Sequence, residues 1–430
     1  LLLERLMGVL RWQSTAAIFF VLTGSAFAQD MGTMAYFFQR AIEYQAVERL
    51  SVLRQEASNE RLGLSSSLIA GTPSVTLSQK SDRWNRDVGE QEDALALSVP
   101  LWRLGERQAA IKAARSEIAS SHAETNATRL GVAAQVRNGV WEFLRESLRD
   151  QVLSKQLEEA KETEHDALRR LETGDIARVD WLNAKMATQT VQMALIAQRS
   201  RKVAAERQLM AVTGMSSVQM GLGTETIISK SAITRLAETL PKLDDRQAAL
   251  DTSVDYQLLK AKVRHAQDRL HLIQERGSGS PILNLESTRS RGSASESFGR
   301  TLTLSISLPF GGGRQQRADI AEITAALVRD EQELLRYQTT FEFGWQASLD
   351  LIRQKRLAQE LWAQRMVDSN VVLQALMKAS EAGEIEYLER LRAQRQAFEA
   401  QIAAIEADVD YRQAISDFLQ FIGRVPSEVN

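Results

Sequence analysis

The sequence predicts a mainly α fold with a small β part, in which one unit, a pair of short strands leading into a long helical hairpin, is written twice. Three observations carry this. Anchors recur at a single offset: Pro100, Gly174 and Gly214 return as Pro309, Gly383 and Gly423, each displaced by 209 positions. Their settings match in kind, Leu97-Ser-Val-Pro-Leu with Ile306-Ser-Leu-Pro-Phe, Glu172-Thr-Gly-Asp-Ile with Glu381-Ala-Gly-Glu-Ile, and Val212-Thr-Gly with Phe421-Ile-Gly. Only 6 prolines and no cysteines occur in 430 residues, while Ala, Leu, Glu, Gln and Arg dominate long stretches, the composition of extended helices. Four short segments alternate apolar and polar residues with the period of a strand.

The N-terminus reads as an address. Arg11 precedes the apolar run Ala16-Ala-Ile-Phe-Phe-Val-Leu22, and Ala26-Phe-Ala28 supplies the small-x-small pattern of a cleavable secretory signal over residues 1–28, with Met7 as its start. The alternative is a buried N-terminal helix. The absence of cysteine fits an envelope protein without disulfides and excludes a lipid attached through an N-terminal cysteine. No later stretch approaches 18 continuous apolar residues, so no membrane-spanning helix is expected. A net charge of −2 implies no polyanionic partner and argues against a nucleic-acid role.

The first repeat, residues 29–214, opens with short helices and a strand pair at about 72–99, formed by Pro73 to Gln79 and Asp93 to Val99 around the charged stretch Lys80 to Glu92. A helical hairpin follows at about 105–214. From Gly105 to Arg170 no proline interrupts, and Val132, Val136, Val140, Leu144 and Leu148 mark one face at spacing four. At about 1.5 Å per residue this makes a rod of roughly 100 Å. It ends at Glu172-Thr-Gly174-Asp175, a C-capping glycine, and a second helix returns from Val179 to Met210. Residues 215–253, with Gly221-Leu-Gly223 and Pro241, read as a linker. The second repeat, 254–423, places its strand pair at about 280–308 and its hairpin at about 314–423, with a rod from Arg314 to Ser380, a turn at Gly383 and a return from Tyr387 to Phe421. Residues 424–430 form a tail.

The clearest strand puts Leu302, Leu304, Ile306 and Leu308 on one face and Thr301, Thr303, Ser305 and Ser307 on the other. An apolar face opposite a small, uncharged polar face is the pattern of a membrane barrel with a wet lumen; a soluble sandwich with one buried face is the alternative. Four strands are too few for a closed barrel, which needs about eight, and an open edge cannot sit in lipid. Strands that span a membrane here must therefore be shared between protomers, and three protomers would supply twelve.

With signal, duplicated unit, the strand ends Ser98-Val-Pro-Leu and Ser307-Leu-Pro-Phe, and the turn segments Thr173-Gly-Asp-Ile-Ala-Arg-Val-Asp-Trp-Leu-Asn-Ala-Lys185 and Ala382-Gly-Glu-Ile-Glu-Tyr-Leu-Glu-Arg-Leu-Arg-Ala-Gln394, the chain resembles the TolC family of outer-membrane efflux proteins. The second turn is most similar to the heavy-metal or cation efflux branch. The resemblance implies a homotrimer whose four strands per protomer make one 12-strand β-barrel in the outer membrane and whose long helices make a 12-helix periplasmic α-barrel. It implies a passive duct for drugs or metal ions, docked through a periplasmic adaptor (membrane fusion protein) onto an inner-membrane transporter of the RND type. Type I protein secretion is an alternative use of the same duct, and an exported or cytosolic coiled-coil scaffold is the rival from another class.

A conduit needs no reaction, and the sequence offers no catalytic residues, no cofactor site and no metal site. His122, His165, His265 and His271 lie at no metal spacing, and Gly311-Gly-Gly-Arg-Gln-Gln-Arg317 lacks the ending of a phosphate loop. The turns are more informative. Asp180 lies six residues beyond Gly174 and Glu389 six beyond Gly383, so a trimer would gather six carboxylates, which repel one another and attract cations. The resemblance implies that they line the inner constriction, although Arg392 stands where many members have a second acidic residue. Arg178, Asp175, Glu384 and Glu386 are candidates for the links that hold the tip shut or for adaptor contact, beside the turn glycines Gly174 and Gly383; the alternative is an ordinary solvated helix end. Trp84 and Trp102 read either as interfacial anchors in outer-membrane lipid or as residues packed at the bend.

Overall fold

A computed structural model describes residues 34–84, 87–216, 246–311, 313–382 and 384–426. The expected signal segment, Gly221, Gly223 and Pro241 of the linker, and the turn glycine Gly383 lie outside the described residues. In order, the elements are α1 (Met34–Tyr44), α2 (Val47–Ser66), β1 (Ser74–Ser81), β2 (Gln91–Pro100), α3 (Glu106–Glu172), α4 (Arg178–Thr213), α5 (Arg246–Thr252), α6 (Val254–Arg276), β3 (Ile282–Arg291), β4 (Gly299–Ser307), α7 (Gly313–Glu381) and α8 (Tyr387–Phe421). The protein is therefore mainly helical with a small antiparallel sheet. It divides into two compact units, one of Glu48–Ala127 and Val254–Thr340, the other of Leu1–Val47, Thr128–Ser253 and Phe341–Asn430.

The first of these units holds a four-stranded sheet in the order β1-β2-β3-β4, each neighbour antiparallel, so the two hairpins join through β2 and β3. The register aligns the faces. Val75, Leu97, Leu285 and Leu304 form one row across the sheet, and Leu77, Leu95, Ser287 and Leu302 the next. On the other face Ser74, Ser98, Asn284 and Ser305 align, as do Thr76, Ala96, Glu286 and Thr303. The apolar face is uncovered in the single chain, with Leu77 80% and Leu302 73% exposed. The first hairpin is longer than the apolar alternation alone indicates. Lys80 and Ser81 continue β1 opposite Glu92 and Gln91, where opposite charges across the ladder, helped by a Lys80–Glu90 ion pair at 3.2 Å, keep polar residues in strand conformation.

Two features tie this unit together. At the hairpin turns Ala294 N–H donates to the Val88 carbonyl at 3.0 Å, and Gly89, with φ +86°, leaves no room for a Cβ, which would stand 2.7 Å from Ala294. Where strand passes into helix, the buried Glu106 carboxylate accepts from Arg276 Nε at 3.0 Å, from Ser280 Oγ at 3.3 Å and from the Arg103 backbone N–H at 3.1 Å. The last of these closes the turn from Arg103 to Glu106, within which Gly105, at φ +85°, accepts the Ala109 N–H as the first bond of α3.

In the second unit the apolar face of α1, with Phe37, Phe38, Ala41 and Ile42, is buried, as are Val132, Val136, Val140, Trp141 and Leu144 of α3 and Leu209 of α4. An aromatic group joins α7 to α8: Phe341 stacks on Phe421 at 4.8 Å and Trp345 meets Phe418 edge-on at 5.3 Å. Antiparallel helices α3 and α8 are cross-linked by a polar ladder. Arg137 donates to Gln420 at 2.6 Å, Arg145 to Asp410 at 2.7 Å and to Gln413 at 2.9 Å, and Arg149 pairs with Glu406. Asp410 also takes Lys355 of α7 at 2.6 Å, so one carboxylate serves three helices.

Phe418→Ala is expected to cost about 3–5 kcal/mol, because this ring, 1% exposed, fills the space between Trp345 and Phe421. Circular dichroism of the purified protein should then show the helical signal melting at a clearly lower temperature than in the parent.

Candidate gate at the helical turns

At the end of α3 the Asp175 N–H reaches the Arg170 carbonyl at 2.8 Å and the Gly174 N–H reaches Leu171 at 3.1 Å. With Gly174 at φ +83°, this is a Schellman cap, which satisfies the last carbonyls of a helix that must reverse. The second repeat builds the same bond 209 positions on, Glu384 N–H to the Ala379 carbonyl at 2.9 Å. The returning helices start alike too, with Asp180 N–H on the Ala177 carbonyl at 3.0 Å and Glu389 N–H on that of Glu386 at 3.1 Å.

The side chains that close the turn region depart from this symmetry. Tyr387, 6% exposed, packs with Ala167 and Ala184 against Ile176, Trp181 and Leu391. Its hydroxyl donates to the Thr163 carbonyl of α3 at 2.9 Å. Asp166, one helical turn further along α3, takes Arg390 of α8 at 3.7 Å and its own neighbours Arg170 at 3.1 Å and Arg169 at 3.4 Å. Arg390 is itself only 11% exposed and lies over the Tyr387 ring, 5.8 Å from its centroid. Burial pushes the Tyr387 phenol up to about 12, with Arg390 pulling it back. The positions 209 earlier hold Arg178 and Trp181, so the first repeat has neither the phenol nor the guanidinium of this pair.

The sequence candidates fall around this link. Asp180 is half-buried at the start of α4, and its charge acts on Tyr387. Glu389 is exposed and paired within its own helix to Arg392 at 2.6 Å. The two equivalent carboxylates thus differ in company. Asp175 accepts the Thr173 hydroxyl at 2.8 Å, while Glu384 and Glu386 are exposed and serve the turn through their backbones. Arg178 is exposed and makes no ion pair among the described residues. In the other unit Trp84 is 97% exposed in the β1–β2 turn, and Trp102 is half-buried with its indole N–H on the Ser67 carbonyl at 3.0 Å.

Sequence reasoning missed Tyr387, Arg390, Thr163 and Asp166. The available signal is a difference between the copies, Tyr and Arg at the first and fourth positions of α8 where α4 has Arg and Trp. Beside the link an open groove of about 490 Å³ runs between the first hairpin and α8, lined by Leu153, Gln156, Val191, Leu388, Arg395 and Ile402 among others. Among the described residues no group of His, Asp and Glu could hold a metal ion, and no helix is long and apolar enough to cross a membrane.

Residues 53–215 match the family model described as outer membrane efflux protein. Solved structures share the fold along nearly the whole chain. CusC, whose structures are described as showing conformational changes on folding and transmembrane channel formation, has a TM-score of 0.72 at 14% identity, covering 90% of this chain and 91% of its own. The outer membrane protein VceC of Vibrio cholerae follows at 0.69 and 15%, covering 91% and 96%. The CmeC outer membrane channel of Campylobacter jejuni stands at 0.67 and 14%, covering 92% and 88%. No curated protein matches the sequence.

A raised folded-state pKa gives a link that is intact below the ordinary tyrosine value of 10.0 and is lost as pH rises toward about 12. Spectrophotometric titration of the tyrosines should show a component that ionises late. Tyr387→Phe should remove that late step.

Proposed function

We propose that this chain, which matches the outer membrane efflux protein family over residues 53–215 and shares the fold of CusC, is one protomer of a trimeric exit duct. The duct passively carries cargo from a periplasmic adaptor and an inner-membrane transporter of the RND type to the exterior. One observation carries the reading: the sheet has a continuous exposed apolar face, a polar face of Ser, Thr, Asn and Ala with Glu286 among them, and two open edges, β1 and β4. In lipid those edges must pair, and three copies give a twelve-stranded barrel with the polar face lining the lumen. The helices support it. Leu182, Met186, Met193, Ile196 and Val203 form a stripe of exposed apolar side chains on α4, and Leu357, Leu361, Val367 and Val371 do so on α7. Such stripes are what helices of a tube present to the helices of neighbouring protomers.

In this reading the tip has two parts with separate tasks. Tyr387 and Arg390 hold α8 to α3 through Thr163 and Asp166 and act as the lock. Asp180 and Glu389, repeated in three protomers, supply the negative charge that favours cations at the constriction, with Arg392 reducing the share of Glu389. Opening shifts a population from the locked packing to one in which α8 moves away from α3, and adaptor docking at the turns, Gly174 and Asp175, and Gly383, Glu384 and Glu386, would favour the second state. Trp84, at the turn end of the strands, would sit at the membrane interface. The link itself stabilises the closed form modestly, since one neutral hydrogen bond and one half-buried ion pair contribute about 1 kcal/mol each. That is an adequate size for a switch.

In planar bilayers the wild-type trimer should conduct weakly, and Tyr387→Phe combined with Arg390→Leu should raise single-channel conductance several-fold. Asp180→Ala with Glu389→Ala should lower cation preference with little change in the closed conductance. A detergent-independent monomer without conductance would refute the duct, and an unchanged conductance in the Tyr387/Arg390 variant would remove the lock.

A further inference from the structure

The apolar face of the sheet changes character in one step. Below the hairpin turns its rows run Val75, Leu97, Leu285, Leu304, then Leu77, Leu95, Ser287, Leu302. The next row on the same face is Gln79, Asp93, Arg289, Arg300, and the one after it begins Ser81, Gln91, Arg291. Each step is about 7 Å along the strand. Three guanidiniums and the single carboxylate of Asp93 therefore lie on the lipid-facing side, immediately beyond the hydrocarbon-facing rows, at the end of the strands away from the helices that follow Pro100 and Pro309.

Two of these arginines, Arg289 and Arg291, are held in place without an ion pair. Arg289 and Arg291 both lie over the ring of Phe298, at 3.9 and 4.7 Å from its centroid, and Arg291 Nε donates to the Gly89 carbonyl at 3.1 Å. Arg289 stands directly opposite Arg300 in the ladder. Like charges so placed repel, and neither residue makes an ion pair among the described residues. Asp93, across the ladder from Arg289, makes no ion pair with it and accepts the Gln91 amide at 3.5 Å, while Glu90 pairs with Lys80 and the Glu296 carboxylate accepts the Gly292 N–H at 3.0 Å. A preorganised, mutually repelling set of guanidiniums at headgroup depth is complementary to an anion that offers more than one phosphate.

We propose that this belt binds the phosphorylated sugar headgroup of the glycolipid in the outer leaflet, with Arg289 and Arg300 sharing one phosphate and Arg291 reaching another. The position favours a lipid over a soluble anion, because the face continues the apolar rows and its exposed aromatic neighbour is Trp84 in the adjoining turn. A single-phosphate phospholipid would leave part of the charge unmatched. Binding would orient the barrel in the membrane and relieve the cross-strand repulsion. The inference rests on the membrane-barrel reading above.

The test uses the full protein purified in detergent, with bisphosphorylated lipid A as the probe and native mass spectrometry as the readout. The parent should retain lipid A at ten-fold or lower concentration than either dephosphorylated lipid A or phosphatidylglycerol, and Arg289→Gln/Arg291→Gln/Arg300→Gln should abolish that preference. The single change Arg289→Gln, which leaves two guanidiniums for the fold, should weaken it several-fold. Equal binding of the three lipids, or the same preference in parent and variants, would overturn the proposal. Bilayer conductance of the same preparations separates the two readings: conductance with no lipid preference rejects the belt alone, and a parent without conductance rejects both.

Discussion

A strand edge in hydrocarbon has no water to satisfy its N–H and C=O groups, and each group left unpaired costs several kcal/mol. The sheet of this protein ends in two such edges, β1 and β4, while its broad face carries exposed leucines and valines that water would not favour. The apolar face calls for lipid and the edges forbid lipid to a lone chain. In the proposed duct, association with further copies meets both demands. On the same reading, two hairpins per chain would let three chains rather than six complete the ring.

The strand–helix junction carries that arrangement into the helices. Glu106 gathers Arg276, Ser280 and the Arg103 amide on one buried carboxylate, so the start of α3, the end of α6 and the entry to β3 share one hub. In the other unit the Arg145–Asp410–Lys355 bridge and the Phe341, Trp345, Phe418 and Phe421 rings join α8 to α3 and α7. At the turn region the described links are the Tyr387 hydrogen bond, the Asp166 pair and the packing of Tyr387 on Ala167, Ala184, Trp181 and Leu391. In the proposed duct such a turn region would suit a gate, because a partner can exchange a few kilocalories there without disturbing the core.

Much of this is readable along the chain and some of it is not. The alternation from Thr301 to Leu308 and the glycine of the Thr173-Gly-Asp turn are local signals, whose periods and conformational needs appear within a few residues. Polar cross-strand pairing of Lys80 with Glu92 is not local, and β1 and β2 run further than their apolar residues show. The Tyr387–Thr163 link joins residues 224 positions apart through a backbone carbonyl, which no side-chain pattern announces. Matching the two repeats for residues alike in kind singles out Asp180 and Glu389. The link lies where the repeats differ, at Tyr387 against Arg178 and Arg390 against Trp181.

The central claim, that β4 of one protomer pairs with β1 of the next, can be tested directly because the chain has no cysteine of its own. Single cysteines at Val75 or Leu77 would be combined in turn with one at Leu302, Leu304 or Ile306 and oxidised in isolated outer membranes. The account predicts that one register yields covalent dimers and trimers on a non-reducing gel. If no combination crosslinks between chains while each variant remains in the membrane, the edges are met in some other way and the shared barrel is contradicted.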